Sequence, residues 1–235
     1  MDCLRTMIPV GIMWPFCDTV RYHCQGKVMK AHKTVKTPPR ERILAAAEEL
    51  FYREGIRGVG VEAIAACAET TKMALYRHFA SKDALVAEWL RLVAVREEAV
   101  FERLAAEHPG DARAQLWGWV LFIAERFVGC TGRGCAFNNS VAELPDTQHP
   151  ARQVIEGHKR AQLRRVETLC AQAGLTEPKA AASKLFFVVE GAQVSAPSLG
   201  AGPAGERLLD IAREILGDAP TPSLRKRTVS KKAAP

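Results

Sequence analysis

From Ile43 to Leu216 apolar residues recur three and four positions apart, broken only by short stretches carrying glycine or proline. That period belongs to helices with one buried face, and no alternating strand pattern competes with it. The chain is therefore expected to be all-α. Ile43, Ala47, Leu50 and Phe51 set a first helix that Gly55 ends. Val61 to Ala68 and Thr71 to Phe79 form two short helices. Ser81 caps a fourth, running to about Glu107 with Asp83 favouring its N-terminal dipole. Asp111 caps a fifth, rich in large apolar residues, before a glycine-rich break from Gly129 to Gly134. Ala151 to Ala173 is a long amphipathic helix ending at Gly174. Thr176 is expected to cap a helix from Glu177 to about Ala196, and a last helix spans Gly205 to Leu216.

Charge is distributed unevenly. The 235 residues carry a formal net charge of +7. Residues 1–39 account for +4 and residues 220–235 for +5, so the body between them is at −2. Overall basicity thus says little about nucleic acid; the position of the charge says more. No uncharged apolar run reaches the roughly 18 residues that cross a bilayer. Seven cysteines without framework spacing fit a reducing cytoplasm. Residues 1–39 lack periodicity and are read as a disordered leader, with Met29 as the biological start. Residues 218–235 are read as a disordered basic tail.

The two short helices are joined by few residues around Glu69 and Thr70. A short helix, a tight turn and a second short helix packed on a leading helix is the helix-turn-helix arrangement. It holds the third helix proud of the surface, where a major groove about 12 Å wide can receive it. Thr70 and Thr71 stand at its start and can donate to phosphate. Lys72, Met73 and Ala74 are placed to approach bases, and Tyr76, Arg77 and His78 to reach phosphates or the groove edge. Lys82 is placed for a further phosphate contact. From Thr70 to Lys82 there are three basic residues and no acid, an imbalance set inside a near-neutral body.

Ile43-Leu-Ala-Ala-Ala-Glu-Glu-Leu-Phe51, Gly55, Ile64-Ala65 and Leu75-Tyr-Arg-His-Phe-Ala-Ser-Lys-Asp-Ala-Leu85 resemble the N-terminal DNA-binding domain of TetR-family transcriptional regulators. The resemblance covers about residues 40–90. Two places depart from it. The family has glycine then an apolar residue in the turn, where this chain has Glu69 and Thr70. It favours threonine or serine before the second helix, where Val59 and Gly60 stand. The resemblance implies that residues 91–217 form a helical effector-binding and dimerisation domain, and it favours a repressor released from a palindromic operator by a small molecule.

Within that second domain Leu163, Val166 and Leu169 on one helix, with Leu185, Phe186, Val189, Gln193 and Val194 on the next, form stripes that a second subunit could bury as a four-helix homodimer interface. Trp119, Phe122, Ile123, Phe127, Cys135, Phe137, Asn138, Phe187 and Glu190 are candidates to line a pocket for a mostly apolar effector. The alternative is that both sets face their own core. No cofactor and no metal site is expected: Cys130 and Cys135, with His149 or His158, match no zinc spacing. Cys135 remains a candidate thiol sensor. Two rival functions are a helical dimeric adaptor without DNA binding, and a cysteine-dependent hydrolase using Cys135, His158 and Glu143.

Overall fold

A computed structural model describes residues 37–129 and 133–219. The described residues form helices without strands: α1 (Pro39–Glu54), α2 (Val61–Cys67), α3 (Lys72–His78), α4 (Lys82–Glu107), α5 (Ala112–Gly129), α6 (Ala136–Glu143), α7 (Pro150–Gln172), α8 (Pro178–Leu199) and α9 (Ala201–Leu216). The leader and tail readings, and Cys130, fall almost wholly outside these residues.

Local chemistry explains most boundaries. Pro39 opens α1 where its missing N–H costs nothing, and Gly55 closes it at φ +86°. Ser81 accepts from the Ala84 amide and Asp111 from the Ala114 amide, capping α4 and α5 as expected. Three boundaries differ from expectation. Glu177, not Thr176, is the residue before α8, and its side chain makes no cap. Helix α9 begins at Ala201 rather than Gly205, because the turn is made at Gly200, at φ +93°. Helix α8 also runs past Ala196 and through Pro197.

Burial divides the molecule into two cores. The first is built from α1, α2, α3 and the start of α4, centred on Ile43, Ile64, Leu75, Leu85 and Leu90, with Phe51 and Trp89 rings 5.4 Å apart. It also takes in Cys135, Phe137, Leu144, Ala151 and Ile155, so α6 and the first turn of α7 pack with the N-terminal helices. The second core joins the end of α4 to α5, α7, α8 and α9 around Leu116, Trp119, Val166, Leu185 and Leu208.

Charged groups bridge the two cores. Glu97, on α4, sits 2.6 Å from Arg126 of α5 and 3.5 Å from His158 of α7. Burial alone would raise the Glu97 pKa, but His158 and Arg126 overcome it and hold the carboxyl at about 2. Because the folded value lies below the ordinary 4.5, the resulting stability is complete above pH 4.5 and is lost as pH falls toward 2. Comparison of Glu97→Gln with the parent by denaturant unfolding is expected to show a gap of about 3 kcal/mol at neutral pH that narrows steadily below pH 4.5. A gap independent of pH would contradict this account.

Candidate functional site

Helix α2 ends in a Schellman arrangement. The Thr70 amide donates to the Ala65 carbonyl at 2.9 Å and the Glu69 amide to Ala66 at 3.1 Å. That geometry puts the residue after the cap in the left-handed region, and Glu69 occupies it at φ +50°. It is the one described non-glycine residue with positive φ. The same pattern closes α7, where Gly174 takes the position at φ +72° without a side-chain penalty. Arg42 of α1 supports the strained turn by donating from its Nε to the Ala68 carbonyl at 3.2 Å, and from Nη2 to that of Glu69 at 3.4 Å.

From this turn Thr71 caps α3, its hydroxyl oxygen accepting from the Ala74 amide at 3.1 Å. A capping threonine still has its O–H to donate. Leu75 and Phe79 face the first core, 0% and 5% exposed. The opposite face is open: Lys72, Met73, Tyr76, Arg77 and His78 are exposed, Met73 at 69%. Thr70 and Ala74 are half-buried. Lys72 pairs with Glu62 of α2 at 2.5 Å, which raises its pKa and lowers that of Glu62. Lys82 lies half-buried at the start of α4, donating to the Ile56 carbonyl at 2.6 Å and so closing the α1–α2 loop. The nine residues singled out around the turn therefore lie on or beside one short helix, and its outward face carries no acid.

The second domain holds a cavity of about 240 Å³. Of the candidate pocket residues, Ile123, Phe127 and Cys135 line it. Trp119, Phe122 and Phe137 do not. Trp119 stacks on Phe101 inside the second core, Phe122 packs beside Arg126, and Phe137 stacks on His158 at 4.3 Å. Phe187 points away altogether, 71% exposed. Glu190 pairs with Lys159 at 2.5 Å, and Asn138 is half-buried on α6; neither lines the cavity. Lining residues that periodicity did not single out are Tyr52, Arg126, Gly134, Ala196, Pro197 and Ala201. Pro197 inside a helix was their one visible signal.

The dimer stripe is corrected more sharply. Val166, Leu185 and Val189 are fully buried in their own protomer, Leu169 is 4% exposed, and Gln193 lines the cavity. Leu163 and Phe186 are half-buried, and Val194 alone of the set is open, at 63%. Large apolar residues satisfied the protomer's own core first, so the outward face lies one step around each helix.

The hydrolase set does not assemble. His158 faces Glu97, while Glu143 accepts from the Arg57 amide at 2.9 Å, beside Gly55. Burial pushes the Cys135 thiol above its ordinary pKa against the pull of Lys159, whose Nζ lies 4.0 Å away, leaving a protonated, weakly nucleophilic sulfur. Among the described residues no three His, Cys, Asp or Glu side chains converge on a metal-sized site. None of their helices is long and apolar enough to cross a membrane.

Comparison with known proteins bears on this geometry directly. Residues 43–89 match the family model described as bacterial regulatory proteins, tetR family. A TetR-family transcriptional regulator from Streptomyces coelicolor is 32% identical over 76% of this chain and 94% of its own, with a TM-score of 0.72. The chain belongs to the TetR family. Reduced NemR from E. coli, 22% identical over 75% of this chain and 97% of its own, has a TM-score of 0.64. The SmeT–triclosan complex, 22% identical over 78% of this chain and 98% of the SmeT chain, has one of 0.59. At those identities they share the fold. The TetR-family helix-turn-helix is thus present here with glutamate in its turn. Glu69→Gly is expected to raise unfolding stability by about 1 kcal/mol, because the left-handed strain relieved exceeds the entropy that glycine adds to the unfolded chain. Denaturant unfolding measures it, and a loss of stability would show that the Glu69 side chain contributes more than its backbone costs.

Proposed function

We propose that this protein is a homodimeric, ligand-responsive repressor that binds a palindromic DNA operator through α3. The carrying observation is the acid-free outward face of α3, held clear of the body by the Arg42-braced turn. Met73 is exposed at the first turn of the helix, where an apolar side chain can meet a thymine methyl group. Thr71, Tyr76, Arg77 and His78 surround it with phosphate donors. Glu62 competes with DNA for Lys72, so the Lys72 contribution is smaller than its charge implies.

A palindrome needs two copies of α3 about one DNA turn apart, 34–36 Å. The outward faces of α7 and α8 are suited to join them. On α8 Phe187 and Val194 lie two turns apart, with exposed Gly191 between. On α7 Gly157 and Ala161 make a flat exposed strip. A Cβ at Gly157 or Gly191 would meet nothing within 4 Å. Glycine inside a helix costs about 1 kcal/mol relative to alanine, and nothing in the protomer requires it at either place. Close approach of a partner's helices does. The triclosan held by SmeT supports a small, largely apolar molecule as effector.

Footprinting on DNA upstream of the protein's own gene, at two salt concentrations, is expected to reveal a palindromic protected site whose occupancy falls with salt. Arg77→Ala is expected to weaken binding to all sequences alike and to lower the salt slope by about one, whereas Met73→Ala changes base preference at one position per half-site. An intact dimer that fails to retain any duplex would instead support the adaptor reading. Phe187→Glu combined with Val194→Glu is expected to yield a folded monomer by sedimentation, since both side chains are solvent-exposed in the protomer. A dimer that survives both changes would place the interface elsewhere.

A further inference from the structure

We infer, building on the repressor reading, that the cavity between α5, α8 and the last turn of α1 takes a small neutral molecule carrying a hydrogen-bond donor beside an acceptor, and that Tyr52 reports its presence to the DNA-binding helices.

Gln193 is the anchor. Gln193 lines the cavity, is 8% exposed and makes no side-chain hydrogen bond to another described residue. An apolar occupant would cover this amide without a partner, so a molecule that supplies one is bound in preference to an apolar molecule of the same shape. Its main chain adds a second group. Pro197 stands four residues on in α8 and has no N–H, so it cannot give the Gln193 carbonyl its usual helical donor. That carbonyl lies against Gly134, where a Cβ would sit 2.5 Å from its oxygen. Together Gln193 offers an amide and a main-chain acceptor to the same space. Carboxamides, lactams and small alcohols complement this pair.

The walls favour a neutral ligand. Ile123, Phe127, Ala196 and Ala201 are apolar. Of the nearby cations, Arg126 pairs with Glu97 at 2.6 Å and Lys159 with Glu190 at 2.5 Å, while Arg133 is engaged by the Tyr52 and Arg53 carbonyls. A carboxylate or ammonium would lose its hydration here without gaining an opposite charge. A volume of about 240 Å³ limits the occupant to a small molecule.

Tyr52 couples this site to DNA because it belongs to α1 yet lines the cavity. Its hydroxyl donates to the Gly134 carbonyl at 2.9 Å, while Arg133 donates to the carbonyls of Tyr52 at 3.1 Å and Arg53 at 2.6 Å. An acceptor on the ligand competes with Gly134 for the Tyr52 hydroxyl. Entry of the ligand thereby changes the contacts that hold the end of α1, as a two-state response requires.

The test uses the full chain with benzamide, 2-piperidone and benzyl alcohol as probes, and toluene and benzoate as comparators. Thermal unfolding is expected to show a saturable rise with at least one neutral probe and none with either comparator. Gln193→Leu should weaken that probe about tenfold. Ala196→Trp, which fills the cavity, should abolish its effect. With footprinted DNA, the bound probe should weaken DNA affinity about fivefold or more in the parent. Tyr52→Phe should keep probe binding and lose that effect. No response to any neutral probe, a comparator bound as tightly, or unchanged binding in both cavity variants would overturn the ligand assignment. Undiminished coupling in Tyr52→Phe would overturn the role of Tyr52. Probe binding with no DNA binding in any state would uphold the cavity chemistry and overturn the repressor reading together with the coupling.

Discussion

Two neighbouring side chains on α4 carry the joint between the halves of this molecule. Arg96 reaches back to Glu48 of α1, with Nη1 and Nη2 at 3.1 and 2.6 Å from its carboxylate oxygens. Glu97 reaches forward to Arg126 and His158. Adjacent residues on a helix diverge by about 100°, so a single turn of α4 grips both cores at once. Below this turn Leu85, Trp89, Leu90 and Val93 belong to the first core, and above it Val100, Phe101 and Leu104 belong to the second. A continuous helix transmits rotation as a rigid rod, and ion pairs at its middle make the two cores lean on the same rod.

A second seam runs alongside the first. The segment from Arg133 to Glu143 follows α5 in chain order but packs with the N-terminal helices. Its Phe137 and Cys135 are in the first core, and Glu143 accepts from the Arg57 amide. Gly134 is tightly confined, positive in φ and against the Gln193 carbonyl. The cavity therefore borders a loop that cannot shift without disturbing α1 on one side or α8 on the other. Helix α4 and this loop are thus the two short connections between the cavity and the N-terminal helices.

How far residues alone reveal such a protein depends on whether a signal is local. The turn was legible because cap chemistry and the Leu75-to-Lys82 block are contained in a few residues. Helices α1 to α5 were legible for the same reason, down to the caps at Ser81 and Asp111. The cavity was only partly legible. Ile123 and Phe127 follow helical spacing, but Tyr52 arrives from another domain, and its role depends on a hydrogen bond to a residue 82 positions away. The apolar stripe on α8 divides between the protomer's core and its surface, a division hidden because Val189 and Val194 look alike in sequence. Only packing tells which of them the protomer buries, and that is Val189.

Departures from the family pattern sharpen the argument about α3. A glycine in the turn would carry no strain and no charge; Glu69 carries both, yet Arg42 sits on the two carbonyls that end α2. The guanidinium holds the turn closed from the α1 side, which offsets a left-handed residue that costs about 1–2 kcal/mol. The same arrangement ties the turn before α3 to the start of α1. The other end of α1, at Tyr52 and Arg53, meets the loop at Arg133 and Gly134. In this chain the strained turn and the loop at the cavity are bonded to the two ends of one helix, through Arg42 at one end and Tyr52 at the other.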